Sequence, residues 1–134
     1  MGKVRLGLVG VGGVGAGRLE EAGATPEAEI TALCDTNPEN LKAAVEKQPQ
    51  AKTFTDAEQL FASGLCEAVL LNVPHFLHKP FAVAALQAGL HVLVEKPMAI
   101  RVSECDAMLA AARTAGKLLT VHHHGFDAHR RRIR

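Results

Sequence analysis

Gly10, Gly12 and Gly15 stand in the spacing G-x-G-x-x-G, directly after the apolar run Val4, Leu6, Leu8 and Val9. Each glycine answers a separate need. Gly10 permits a tight turn off a strand, and Gly12 removes the Cβ that would hold a pyrophosphate away from the backbone. Gly15 lets the following helix lie close on the sheet. Gly13 and Val14 open that helix, whose unpaired N–H groups are offered to phosphates. Gly-rich turns are common, so the pattern alone is weak; its place between a strand and a helix-compatible segment gives it weight. An ordinary glycine turn in another α/β fold is the competing reading.

Asp35 lies 20 residues past Gly15, after the strand-like E-I-T-A-L of Glu29–Leu33. A carboxylate there accepts hydrogen bonds from both ribose hydroxyls of an adenosine half. A 2′-phosphate would meet its charge instead, and no Arg or Lys follows until Lys42, which favours NAD over NADP. A turn or helix-capping Asp is the alternative. Pro74, His75 and His78 follow a fourth strand-like run at its carboxyl end, where this architecture places its ligand crevice. Two histidines alone make a poor metal site, so they read as loop or cofactor-wall residues. Glu95-Lys96-Pro97 leaves a fifth run at the same rim. A lysine so placed orients a substrate hydroxyl or carbonyl, or assists proton transfer; a solvated surface charge is the plainer reading.

The elements that must position these residues alternate along the chain. Strands are expected at Val4–Val9, Glu29–Leu33, Lys52–Phe54, Ala68–Val73, His91–Val94 and Leu118–Val121. Helices are expected from Val14 to Ala22, from the Asn37-Pro38-Glu39 cap onward, after a Thr55–Glu58 capping box, from Pro80 toward Gly89, and after a Ser103–Asp106 box to Gly116. Such alternation with short connections means a six-stranded parallel sheet, doubly wound, with order 3-2-1-4-5-6.

Composition agrees with that α/β class. The chain has 134 residues, enough for one domain, and 48% are apolar. With five Phe and no Trp or Tyr, the core must be built of Ala, Val and Leu, as in a buried parallel sheet. A net charge of +1 gives no field that would favour nucleic acid or a membrane surface. Cys34, Cys66 and Cys105 form neither a disulfide framework nor a zinc pattern, and they suit a reducing cytoplasm. No apolar run approaches transmembrane length, and Met1-Gly2-Lys3 leads straight into a strand, so neither a signal peptide nor a membrane span is expected.

G-L-V-G-V-G-G-V-G, Asp35, N-V-P-H-F-L-H, A-L-Q-A-G-L-H-V-L-V-E-K-P and V-H-H-H-G-F-D together resemble the Gfo/Idh/MocA family, the NAD(P)-dependent oxidoreductases of the glucose–fructose oxidoreductase and inositol dehydrogenase type. The likeness covers essentially the whole chain, and A-L-x-A-G-x-H-V-x-x-E-K-P is its most distinctive piece. The resemblance implies that Lys96 lies beside the nicotinamide and the substrate, that Lys96-Pro97 is a cis peptide, and that Pro74 and His78 line the cofactor site. Arg18 stands where many members carry a histidine. The family also implies a second α/β domain that binds substrate, makes oligomer contacts and supplies a catalytic Asp and His. On this reading residues 1–122 are the Rossmann domain, and 123–134 begin a bridging helix toward that domain. Asp127 and His129 belong to the bridge rather than to an acid–base pair.

His122-His123-His124 sit at a strand end, where alternate side chains face opposite ways and cannot all reach one metal. Arg130-Arg131-Arg132, without interleaved aromatics, reads as a solvated or inter-domain segment rather than a nucleic-acid contact. The expectation is therefore an NAD-binding domain of an oxidoreductase moving hydride between nicotinamide and a hydroxyl-bearing carbon of a sugar or polyol. Little turnover is expected from this chain alone, because substrate binding needs the second domain, and the apolar rim left open favours self-association. The alternative is a non-catalytic nucleotide-binding or sensing module that pairs with another chain.

Overall fold

The computed structural model describes residues 2–123. Its elements run β1 (Val4–Val9), α1 (Val14–Gly23), β2 (Ala28–Cys34), α2 (Pro38–Lys47), β3 (Lys52–Phe54), α3 (Ala57–Ala62), β4 (Ala68–Leu71), α4 (His78–Gln87), β5 (His91–Glu95), α5 (Val102–Ala115) and β6 (Leu119–His122), with a 3-10 turn at His75–Leu77. The strands form one sheet in the order β3-β2-β1-β4-β5-β6, and every neighbouring pair is parallel. The chain's direction across the sheet reverses between β1 and β4, and the crevice at their carboxyl ends is the place such a sheet reserves for ligand.

Two apolar layers explain why both faces are covered. Leu8 and Leu33 pack with Leu19 of α1 and with Leu41 and Ala44 of α2 on one side. Val69, Leu71, Val92 and Val94 pack with Leu60 and Phe61 of α3, Ala82, Ala85 and Leu86 of α4, and Met108 and Ala112 of α5 on the other. Small alanines on α4 and α5 let these helices sit close to one another and to the sheet, as a core without Trp or Tyr requires.

Local signals were placed well in some helices and shifted in others. Asn37 caps α2 through its side chain, which accepts from the Glu39 N–H, and Pro38 occupies the first turn. The cap of α3 is Asp56 rather than Thr55, because the Asp56 carboxylate reaches the Glu58 N–H at 2.9 Å. At α5 the reciprocal contact comes from Glu104, whose Oε2 accepts from the Ile100 and Arg101 N–H groups at 3.1 and 3.0 Å. The expected Ser103–Asp106 box is displaced accordingly. β4 ends at Leu71, two residues short of Val73, and α4 begins at His78, which leaves Pro80 in its first turn. The β4–α4 connection, with its 3-10 turn at His75–Leu77, lies at the carboxyl end of β4 beside the crevice.

Candidate functional site

The glycine turn is held by close approach. Gly10 has φ +83°, and its N–H donates to the Cys34 carbonyl at 2.8 Å. A Cβ on Gly10 would lie 2.2 Å from the Asn72 carbonyl oxygen, and one on Gly15 only 2.0 Å from the Gly10 carbonyl oxygen. Neither position tolerates a side chain without moving backbone. Gly13 caps α1 with φ +54° and contributes no side-chain bond, and in the first turn the Gly15 and Ala16 N–H groups donate back to the Gly12 and Gly13 carbonyl oxygens at 2.9 and 3.1 Å.

Asp35, just past β2, is tied back to this turn. Its Oδ2 accepts from the Val11 N–H at 3.0 Å and from Asn40 Nδ2 at 3.2 Å, while Oδ1 accepts from the Asn37 N–H at 2.9 Å. Asp35 braces the loop and also lines a cavity of about 460 Å³. Gly10, Gly12, Thr36, Asn40, Asp56, Asn72, Pro74 and Phe81 share that lining. Cys34 lines it too, but burial, with the nearby Asp35 and Asp56 charges, pushes its thiol up to about 11, so it stays protonated at neutral pH and supplies no nucleophile.

A second cavity, about 320 Å³, lies along the same rim, lined by Val14, Arg18, Asn72, Val73, His75, His78, Glu95 and Lys96. Asn72 borders both cavities. Its Nδ2 donates to the Gly10 carbonyl at 3.2 Å, and its buried Oδ1 has no partner among the described residues. Glu95 is buried and accepts a hydrogen bond from Arg18 Nε; Arg18 Nη1 also meets the Glu21 carboxylate at 2.9 Å. Burial alone would raise the Glu95 pKa, but the hydrogen bond and charge of Arg18 outweigh it, holding the carboxyl below its ordinary 4.5. His122, opposite Glu95 in the β5–β6 register, brings Nδ1 to 3.4 Å from the same carboxylate.

Lys96 is exposed on this rim, and the Lys96-Pro97 peptide is cis. His75 is exposed, and its ring meets that of His78 edge to face at 5.5 Å. His78 itself is fully buried, with Nδ1 2.8 Å from the Pro97 carbonyl oxygen and Nε2 3.0 Å from that of Val73. Both ring nitrogens face main-chain carbonyls, which leaves neither for a metal.

The rim thus brings together Gly10, Gly12, Gly13, Val14, Gly15, Asp35, Pro74, His75, His78, Glu95 and Lys96 from the ends of four strands. Sequence reading passed over Asn40 and Asn72. Asn40 falls one turn into α2 beyond Asp35, a spacing that could have drawn attention to it; Asn72 carried no such mark. His124, Asp127, His129 and Arg130–Arg132 lie outside the described residues.

A sheet of this order, with its glycine turn at the switch point and an acidic residue closing β2, matches a known pattern. A profile of the Gfo/Idh/MocA family, an oxidoreductase family with an NAD-binding Rossmann fold, covers residues 4–123. The chain belongs to this family. Among Gfo/Idh/MocA relatives, a 1-carboxy-3-chloro-3,4-dihydroxycyclohexa-1,5-diene dehydrogenase from Comamonas testosteroni is 38% identical over 125 residues, 92% of this chain and 32% of its own. An inositol 2-dehydrogenase from Corynebacterium glutamicum is 38% identical over 96 residues, 71% of this chain and 28% of its own. The WlbA dehydrogenase from Bordetella pertussis, solved with NADH and UDP-GlcNAcA, superimposes with a TM-score of 0.85 at 37% identity, over 90% of this chain and 35% of that one. The chain therefore spans about a third of the relatives it matches. Residues 4–123 correspond to the NAD-binding Rossmann domain of the family. Among the described residues, no helix is long and apolar enough to cross a membrane.

Proposed function

We propose that this domain holds NAD(H) for an oxidoreductase acting on a hydroxyl-bearing carbon of a sugar or polyol. The observation that carries the reading is the pair of cavities meeting at Asn72, one walled by Asp35 and the glycine turn, the other by Glu95 and Lys96. A two-part ligand fits such a double site, with its pyrophosphate at the glycine turn that opens α1. The donor set suits the cofactor: close-packed glycines leave backbone bare, and the buried Asn72 Oδ1 still lacks a donor among the described residues.

In this reading Gly10, Gly12, Gly13, Val14 and Gly15 receive the pyrophosphate, and Asp35 takes the adenosine ribose. Pro74, His75, His78, Glu95 and Pro97 wall the nicotinamide half. Bound there, the nicotinamide accepts or donates hydride at C4. Lys96, the catalytic residue of this domain, holds the substrate hydroxyl at the rim and helps move its proton. His78 positions the Lys96-Pro97 turn from beneath. NAD is favoured over NADP because the Asp35 carboxylate confronts a 2′-phosphate with like charge.

The sugar-like ligand then binds only together with a second, substrate-binding domain. Exposed Val14 and Phe76 on the rim favour association through this face, into a homo-oligomer in the intact enzyme. Free, buried Cys34 and Cys66 suit a cytoplasmic enzyme.

Calorimetric titration of the purified chain with NAD+, NADH and NADPH tests the reading, with Asp35→Ala as control. Saturable binding that favours NAD(H) and weakens at least about tenfold in the variant is expected, the loss of a charge-assisted ribose contact. Absence of binding by all three would reject it.

A further inference from the structure

We infer that Asn40 is a cofactor-selecting residue, which yields its place on Asp35 to an unphosphorylated adenosine ribose and then reads the 2′-hydroxyl itself. The inference rests on the NAD-binding reading above and adds a determinant to it. Its basis is the crowding around Asp35 and Gly12.

The space above Gly12 is filled by Asn40. A Cβ built on Gly12 would fall 2.3 Å from Asn40 Nδ2 and 2.9 Å from its Oδ1. The bare backbone at Gly12 therefore accommodates the Asn40 amide in this structure, where the sequence pattern reserves room for a phosphate-bearing ligand. A dinucleotide lying across Gly12 must displace that amide.

The same side chain occupies the carboxylate that a ribose needs. An ionised carboxylate offers about four lone-pair positions. At Asp35 two accept main-chain N–H groups, those of Val11 and Asn37, and a third accepts Asn40 Nδ2. The main-chain donors are fixed by the glycine turn and by the entry to α2. A ribose donating from both hydroxyls needs two positions, and the second is released only when the half-buried Asn40 rotates away.

Once rotated, the amide stays on the first turns of α2 beside the ribose edge. It offers a donor and an acceptor, which a hydroxyl satisfies together. A 2′-phosphate carries charge and has no proton to give at neutral pH, and a neutral amide next to Asp35 does nothing to offset the repulsion. Asn40 thus adds to the discrimination that Asp35 begins.

The test is the ratio of Kd for NADP+ to Kd for NAD+, measured by calorimetry on the full chain and on Asn40→Ala, Asn40→Arg and Asn40→Gln. Asn40→Ala is expected to lower the ratio about fivefold, the size of one lost neutral hydrogen bond. Asn40→Arg, whose guanidinium can pair with a 2′-phosphate, should lower it about fiftyfold. Asn40→Gln retains the amide and should keep the ratio within about threefold of the parent. A purely structural role would move both constants together, so an unchanged ratio in Asn40→Ala overturns the inference even if both affinities fall. Failure of the parent chain to bind either dinucleotide is a different result, and it removes the underlying reading as well.

Discussion

The guanidinium of Arg18, on α1, donates to the Glu95 carboxylate at the end of β5, and the two side chains are 7% and 10% exposed. The pair spans 77 positions of sequence and pins the glycine-loop helix to the strand that leads into Lys96. Two charges removed from water are held in place by each other and by Glu21, which is itself exposed. Truncating one partner leaves the other buried without its counter-charge, a cost of about 3 kcal/mol or more. Arg18→Met is therefore expected to lower the unfolding free energy by that amount, read as a lower urea midpoint with an unchanged slope. An Arg18→Met, Glu95→Met double variant should recover much of the loss, since apolar groups of similar volume replace the pair. A single variant as stable as the parent would show that the pair carries no structural weight.

The same pair sets an acid limb. Burial pushes the Glu95 pKa up, but Arg18 pulls it further down, so the folded value lies below the ordinary 4.5 while the unfolded chain keeps it. A carboxyl with a depressed folded pKa stabilises the fold fully above the unfolded value. That contribution is lost as pH falls through the folded one. Unfolding free energy measured from pH 7 down to pH 3 should fall below about 4.5 in the parent. In Glu95→Gln this component is absent, so the stability gap between the two proteins must narrow as the pH drops. A gap that stays constant over that interval would contradict the assignment.

Much of the fold was legible because its signals are local. Gly10 and Gly15 follow an apolar run, Asn37-Pro38 announces α2, and alternating strands and helices leave few topologies. Pairings across the sheet were hidden for the opposite reason. Nothing in the sequence marks Arg18 as the partner of Glu95, Asn72 as the brace of Gly10, or His78 as the neighbour of Pro97, because the partners are 19 to 77 residues apart. The small displacements of caps have a simpler origin. Near Thr55-Asp56 and Arg101–Asp106, several side chains compete for the same N–H groups, and the winner is fixed by backbone direction, which the residue types leave undetermined.

Glycines within one helix should separate into required and dispensable. A Cβ on Gly15 meets the Gly10 carbonyl oxygen at 2.0 Å, while one on Gly17 meets nothing within 4 Å. Both belong to α1, so helix propensity favours alanine equally at each, by about 1 kcal/mol. Gly17→Ala should raise the thermal midpoint, and Gly15→Ala should lower it sharply and weaken NAD+ binding, because the clash is with backbone of the loop itself. Equal effects of the two substitutions would mean that α1 is free to shift away from the sheet.

His78 offers a test of how the Lys96 turn is held. Its ring is wholly buried between the Val73 and Pro97 carbonyl oxygens, and whichever nitrogen carries a proton donates to the oxygen beside it. His78→Phe preserves most of the volume but removes that link. The loss should be about 2 kcal/mol, that of a buried acceptor left without its partner. The consequence reaches further than stability, since the ring lies between the end of β4 and the segment after β5. Amide hydrogen exchange of Lys96 and Met98 should quicken in His78→Phe by more than in a substitution of equal global cost elsewhere in the core, such as Leu86→Val. Exchange that tracks global stability alone would assign His78 to packing and leave the turn to be held by its own backbone.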